Sequence, residues 1–249
     1  MIPSFYRLRS VPVTASTNAD MKQAAEAGEP EGLVIQALSQ TAGRGRQGRA
    51  WDSPEGNLYA SILLRPACSL RDVGCYSFIA ALAVHDTIAA FLPQEVIELK
   101  WPNDVLVKGG KISGILLESS PADADGVAWL VVGIGVNVLH CPEQALYPTT
   151  SLALACREAG RNGEPSVDAT LAVLLEKFEA RRQQFLRHGF APIRQDWLAR
   201  AKTGAITARL PHETVEGLFC GLNEDGALIL RLADGRERAI AAGDIFFPR

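Results

Sequence analysis

The segment Cys75–Leu92, CYSFIAALAVHDTIAAFL, constrains the fold more than any other stretch. Its apolar residues occupy most faces of a helix rather than one stripe. A helix of that kind is buried, so other elements must surround it. The flanking sequence supplies strands. GLVIQALSQ and NLYASILLRP have strand character, and Pro66 closes the second. VIELKWPNDVLVKGGKISGILLES contains extended segments and a turn at Gly109–Gly110, and AWLVVGIGVNVL is a further strand.

Helices frame these strands. STNADMKQAAEAGE reads as a capped helix, with Thr17 and Asp20 at capping-box spacing and Gly28 and Pro30 as the stop. SVDATLAVLLEKFEARRQQFLRHG carries Leu171, Leu174, Leu175, Phe178 and Phe185 at helical spacing, with Ser166 as cap and Gly189 as terminator. Past Thr203–Gly204 the pattern changes to the short strands AITARL, VEGLFCGL, ALILRLA and ERAIAA, separated by NEDG and ADG turns. The expected architecture is therefore α+β. Residues 1–203 form a mixed, largely antiparallel sheet with helices packed on one side, and residues 204–249 form a small β-barrel that packs against it.

The bulk composition excludes several functions. The net charge of −3 over 249 residues argues against a general nucleic-acid or membrane-surface binder. The five cysteines are widely spaced without a C-x-x-C, which indicates neither a disulfide framework nor a zinc site. The N-terminus is too polar for a signal peptide, and the longest apolar run is too short to span a bilayer. A soluble cytoplasmic protein is expected.

Against that acidic background, Thr41–Arg49 reads TAGRGRQGR, three arginines alternating with glycines. Ordering GRGRQGR costs on the order of 10 kcal/mol of backbone entropy. The segment has no aliphatic or aromatic side chain to offset that cost, so it should stay mobile until an anion arrives. A charge-assisted hydrogen bond returns roughly 1.5–3 kcal/mol, and arginine grips phosphate or carboxylate bidentately. The spacing is not a Walker A loop. On the loop alone, a solvated turn, a phosphate clamp and a Gly–Arg RNA-binding segment all stay open, although RNA-binding segments of this kind are usually repeated and this one is single.

Further stretches narrow the choice. KWPNDV surrounds a proline with a cation, a ring and an Asn–Asp pair. GKISGILLE sets Lys111 at the head of an apolar strand, and GIGVNV puts glycines inside a strand, which weakens it unless something approaches the backbone closely. In the order STN, QTAGRGRQGRAW, NLYASILLRP, KWPNDV, KISGILLE and GIGVNV, with a C-terminal module like GLNEDGALIL, the chain closely resembles the biotin–protein ligases over nearly its whole length. The resemblance implies a biotin/lipoate-ligase-like core with a Src-homology-3-like C-terminal barrel. STN begins at Ser16, so a monofunctional ligase without an N-terminal DNA-binding domain is expected.

By that resemblance, the protein couples biotin to one lysine of a biotin carboxyl carrier domain, in acetyl-CoA carboxylase or a related carboxylase. The route runs through biotinyl-5′-AMP, with biotin and ATP as substrates and Mg²⁺ alongside. Lys111 and Arg46 are the expected catalytic pair. Ser16, Thr17, Asn18 and Gln40 take the ureido head, with Arg44, Gly45, Arg46, Lys111, Gly114, Gly133 and Gly135 completing the biotin site. Arg44, Arg46, Arg49, Trp51, Lys100, Asn103 and Asn137 take the nucleotide, Asn137 facing adenine, and Asp104 is a candidate metal contact. The same resemblance admits a homodimer paired through sheet edges. His85, on the apolar helix, reads as a buried, satisfied histidine. A lipoate or octanoate ligase and a non-catalytic biotin sensor are the alternatives.

Overall fold

The computed structural model describes residues 2–70, 72–122, 126–142, 147–161 and 163–248. A seven-stranded sheet is built from β1 (Arg7–Thr14), β2 (Leu33–Gln40), β3 (Leu58–Leu64), β4 (Ile97–Lys100), β5 (Asp104–Val107), β6 (Gly110–Pro121) and β7 (Val127–Val136). Its order is β1-β2-β3-β7-β6-β5-β4. β1 and β2 are parallel, and every other pair is antiparallel. The mixed, largely antiparallel sheet is as expected.

The helices are α1 (Thr17–Glu26), α2 (Cys75–Ile88), α3 (Leu152–Glu158), α4 (Val167–His188) and α5 (Phe190–Leu198). They do not all lie on one side. The two-residue period of the central strands splits the core. Leu33, Ile35, Leu63, Trp129 and Val131 face Met21, Ala24 and Ala25 of α1. Their alternates Val34, Ile62, Leu64, Leu130 and Val132 join the cluster that contains α2 and α4. The strands are apolar on both faces, and one helix layer cannot cover both. α1 therefore covers the face opposite the other helices.

α2 is enclosed as its sequence requires, between β4–β7 and the pair α4 and α5. Ser77, Thr87, His85 and Asp86 are bonded. Ser77 Oγ donates to the Pro102 carbonyl (3.0 Å) and Thr87 Oγ1 to the Ala83 carbonyl (2.7 Å). His85 Nδ1 lies 3.2 Å from Asp86 Oδ1, so His85 is the satisfied buried histidine. The Asp86 carboxylate also receives Arg181 Nε at 2.8 Å, and Arg181 Nη1 reaches Asp196 Oδ2 of α5 at 2.5 Å. α4 begins at Ser166, whose Oγ accepts from Ala169 N, and ends at Gly189 with φ of 72°, the left-handed turn that glycine tolerates. The β5–β6 hairpin turns on Lys108 and Gly109, both with positive φ, one residue before the expected turn.

The second sheet comprises β8 (Ala205–Arg209), β9 (Thr214–Leu222), β10 (Leu228–Arg231), β11 (Glu237–Ile240) and β12 (Asp244–Phe246), in the order β11-β10-β9-β8-β12. It is an antiparallel sheet consistent with a Src-homology-3-like barrel, although β11 and β12 do not pair to close it. Its junction with the first sheet is aromatic. Trp101 Nε1 donates to the Gly226 carbonyl at 3.0 Å, and a Cβ on Gly226 would lie 2.7 Å from the Phe78 ring. The connecting residues 200–202 pair with Leu99 and cover the β4 edge.

Candidate active site

One cleft opens over the middle of the large sheet, roofed by Arg44, Gly45, Arg46 and Arg49 and walled at one end by β12. All the residues proposed for the site from sequence line it, except Asn137.

At the polar end, the start of α1 meets the end of β2. Thr17 N donates to Gln40 Oε1 at 2.8 Å. Gln40 Nε2 in turn donates to Ser53 Oγ at 2.9 Å. The expected Thr17–Asp20 capping box does not form. Ser16 is the N-cap residue and makes no side-chain cap bond, while Asp20 accepts from Thr14 Oγ1 at 2.6 Å. The residues of STN are turned toward the cleft instead. Asn18 Oδ1 sits 2.1 Å from where a Cβ of Gly133 would be, so position 133 has room only for glycine.

The same logic explains the rest of the floor. Gly114 and Gly135 are cross-strand partners, and the Trp51 ring lies across them, 3.0 and 2.8 Å from their would-be Cβ positions. No register shift occurs at these glycines. Trp51 Nε1 is buried without a hydrogen-bond partner, an orphaned donor of the kind a bound acceptor would satisfy.

The cationic end is set by a turn and a bulge. β4 and β5 place Lys100 opposite Asp104. The β5–β6 register then slips between Val105 and Leu106, a device that re-aims side chains. Lys111 Nζ lies 2.5 Å from Asp104 Oδ1, and Lys100 Nζ 3.5 Å from Oδ2. Burial holds the Lys100 ammonium below its usual range; Asp104 opposes this and Lys111 adds to it. Both lysines also lie over the Tyr147 ring, at 5.5 and 5.3 Å. Asp104 thus serves two ammonium groups. Among the described residues no cluster of three His, Cys, Asp or Glu could hold a metal.

The arginine segment is not left loose. Arg44 and Ala50 form a bridge, Gly45 N donates to the Arg49 carbonyl at 2.7 Å, and Arg46–Gly48 make one 3₁₀ turn. Arg46 Nη1 reaches Asn103 Oδ1 and the Gly243 carbonyl, both at 3.4 Å. Arg49 pairs with Asp244, and Arg44 lies 3.9 Å from Glu118. Burial lowers the Arg46 pKa, opposed by Asp104 and reinforced by Arg49. Acids and carbonyls of the protein therefore hold the segment that the sequence alone leaves waiting for a ligand.

Asn137 is set apart. It is buried, donates Nδ2 to the Thr150 carbonyl at 3.0 Å, and lines an adjoining hollow with Trp51, Lys111 and Tyr147. Sequence reasoning missed Tyr147, Asp244 and Phe246 on the cleft wall, and Ser53, Ser61 and Glu118 behind it. Only Ser61 carried a signal, as a lone serine in the largely apolar strand NLYASILL.

A neutral polar pocket, a glycine floor and a group of paired cations in one cleft suit an acid that is to be joined to a nucleotide, which defines the class as an acid-activating ligase. Residues 10–137 match the biotin/lipoate A/B protein ligase family, and residues 205–247 match the biotin protein ligase C-terminal domain. The chain is 41% identical to the biotin–[acetyl-CoA-carboxylase] ligase of Paracoccus denitrificans, over 94% of this chain and 98% of that protein. It is 36% identical to the enzyme of that name from Mycobacterium tuberculosis, over 98% and 90%. The biotin protein ligase of Aquifex aeolicus in complex with biotin and ATP superimposes with a TM-score of 0.78 at 27% identity, covering 96% of this chain and 97% of that one. That of Leishmania major with biotinyl-5-AMP gives 0.60 at 26%, covering 95% and 99%. The chain belongs to the biotin/lipoate A/B protein ligase family, within its biotin–protein ligases.

Proposed function

We propose that the protein joins biotin to a carrier lysine in two steps within this cleft. The observation that carries the reading is the alignment of Ser16, Thr17, Asn18 and Gln40, the glycine floor, and Lys100, Lys111 and the arginines along one cleft. A carboxylate oxygen of biotin attacks the α-phosphorus of ATP, and the bond to the β-phosphate breaks to release pyrophosphate. Two anions must meet, so fixed positive charge has to act most strongly as charge shifts over the phosphate. Lys111 and Arg46 supply it. Arg44, Arg49, Lys100 and Asn103 hold the flanking phosphates and the biotin carboxylate. Trp51 and Asn137 flank the hollow suited to adenine, where an amide can pair with the N6/N7 edge.

In the second step the carrier amine attacks the acyl carbon, AMP leaves, and the amine proton passes to Asp104 or water. Asp104 serves the lysines better than it would serve a metal, so Mg²⁺ enters as part of the MgATP substrate. The acceptor is the biotin carboxyl carrier domain of an acetyl-CoA carboxylase, which places the work in the cytoplasm. Residues 1–203 form the catalytic domain. Residues 204–249 form a C-terminal domain that contributes Asp244 and Phe246 to the cleft wall.

Pyrophosphate release from MgATP, without carrier and with biotin, lipoate or octanoate added, tests the reading. Release with biotin alone is expected. Release with lipoate would move the substrate, and saturable biotin binding with no release would make the protein a sensor.

A further inference from the structure

Behind the polar end of the cleft, seven groups form one continuous chain. Asn18 Nδ2 donates to Glu118 Oε2 at 2.8 Å. Ser61 Oγ donates to Asn18 Oδ1 at 2.6 Å and also lies 2.9 Å from Thr17 Oγ1. Thr17 Oγ1 is 3.2 Å from Gln40 Oε1, which takes the Thr17 N–H at 2.8 Å. Gln40 Nε2 donates to Ser53 Oγ, which donates to the Trp51 carbonyl at 2.9 Å. Ser61 is fully buried, and Thr17 and Asn18 nearly so.

The middle of this chain can run in two directions. A hydroxyl has one proton to give. If Asn18 presents its oxygen to Ser61, Ser61 donates to Asn18 and Thr17 donates to Ser61. Both Thr17 lone pairs are then free, and Asn18 Oδ1 lies over the floor at Gly133. If Asn18 were flipped, its NH₂ would donate to Ser61, Ser61 to Thr17, and Thr17 to Gln40. The cleft would then face an amide donor and a half-used hydroxyl. Internal geometry accommodates both directions, and only the far end distinguishes them. A carboxylate paired with an arginine accepts hydrogen bonds and donates none. A flipped Asn18 would bring its oxygen against Glu118.

We propose that Glu118 is a positioning residue for the polar pocket: through Asn18 and Ser61 it fixes the direction of this chain so that acceptors face the cleft. This deepens the function proposed above and rests on it. The ligand group it selects is a cyclic urea with two outward N–H donors, the head group of biotin. Glu118 itself does not line the cleft, so its influence passes through Asn18.

The test uses the full-length protein, direct biotin titration and steady-state kinetics on Glu118→Gln, Glu118→Asp, Ser61→Ala and the Glu118→Gln/Ser61→Ala double variant. Wild-type biotin binding, measured first, checks the underlying reading independently. Glu118→Gln, which can present either an oxygen or an NH₂ to Asn18, should raise Kd and KM for biotin about 10-fold, the scale of one hydrogen bond. Both kcat and KM for ATP should stay within about twofold, and Glu118→Asp, which keeps the carboxylate, should recover most of the loss. Ser61→Ala should weaken biotin similarly, and the double variant should be no worse than the poorer single one. Unchanged biotin affinity in Glu118→Gln would overturn the proposal. So would fully additive losses in the double variant, or a loss confined to ATP, which would place the influence of Glu118 on Arg44 instead.

Discussion

Lys111 is almost fully buried, yet its ammonium is committed to Asp104 and two aromatic rings rather than to solvent. Replacing it with alanine leaves Asp104 still paired with Lys100, so the fold should survive. Adenylate formation should fall at least ~10²-fold, the range seen when a preorganised charge-stabilising donor is removed. Near-normal biotin-dependent pyrophosphate release from Lys111→Ala would exclude the role given to it. Gly133 offers a second check. An alanine there would drive its Cβ into Asn18 Oδ1, and local overpacking costs about 1–3 kcal/mol. Gly133→Ala should raise KM for biotin roughly 10-fold or more and lower the thermal midpoint by about 2–4 °C for each kcal/mol lost; an unchanged KM would contradict the pocket assignment. At this scale much was legible: the glycines and Lys111 are types that a strand interior would not otherwise choose, whereas STN reads as an ordinary helix start and became a site only through the resemblance. Glu118 and Asp244 were not legible. A carboxylate in a strand looks the same in sequence whether it is solvated or holds an asparagine or an arginine.

Among the elements, the arginine segment departs most from its sequence reading. Entropy alone says GRGRQGR stays mobile, and that estimate omitted partners distant in the chain. β12, only three residues long and unrecognised in the sequence, brings Asp244 to Arg49. Asp244→Asn should loosen the segment and speed tryptic cleavage at Arg44, Arg46 and Arg49 several-fold, on the order expected for losing a local tether. Biotin with MgATP should protect both proteins. Equal cleavage rates without ligand would show that β12 does not hold the roof. α1 lies on the predicted stretch although its capping box does not form, and its side of the sheet was missed. GLVIQALSQ is apolar on both faces, which a strand-by-strand reading does not convert into two helix layers.

Over the whole molecule, the break near Gly204 and the all-round apolar α2 were enough to foresee a buried helix in an α+β core followed by a small β module. Helices α3 and α5 and the open order of the second sheet were not foreseen, because they depend on contacts far apart in sequence. α2, α4 and α5 are tied by Asp86, Arg181 and Asp196. Burial would raise the Asp86 carboxyl, but the hydrogen bond from His85 and the Arg181 guanidinium outweigh it and hold the pKa below its ordinary 3.8. Stability from this tie is present above that ordinary value and is lost as pH falls through the lower folded one. Asp86→Asn should therefore lower the melting temperature at pH 7 and flatten its decline toward pH 3; an acid limb as steep as wild type would place the effect elsewhere. The roof and the polar pocket of the cleft answer to different physics. Arg49–Asp244 and Arg44–Glu118 are exposed enough to feel mobile ions, whose screening length is about 8 Å at physiological strength. The ureido pocket is lined by neutral hydroxyls and amides. Added potassium chloride should therefore weaken the apparent affinity for ATP, with its several phosphates, more steeply than that for biotin, whose one carboxylate is its only charge, so the ionic strength of the medium becomes a dial weighted toward nucleotide capture.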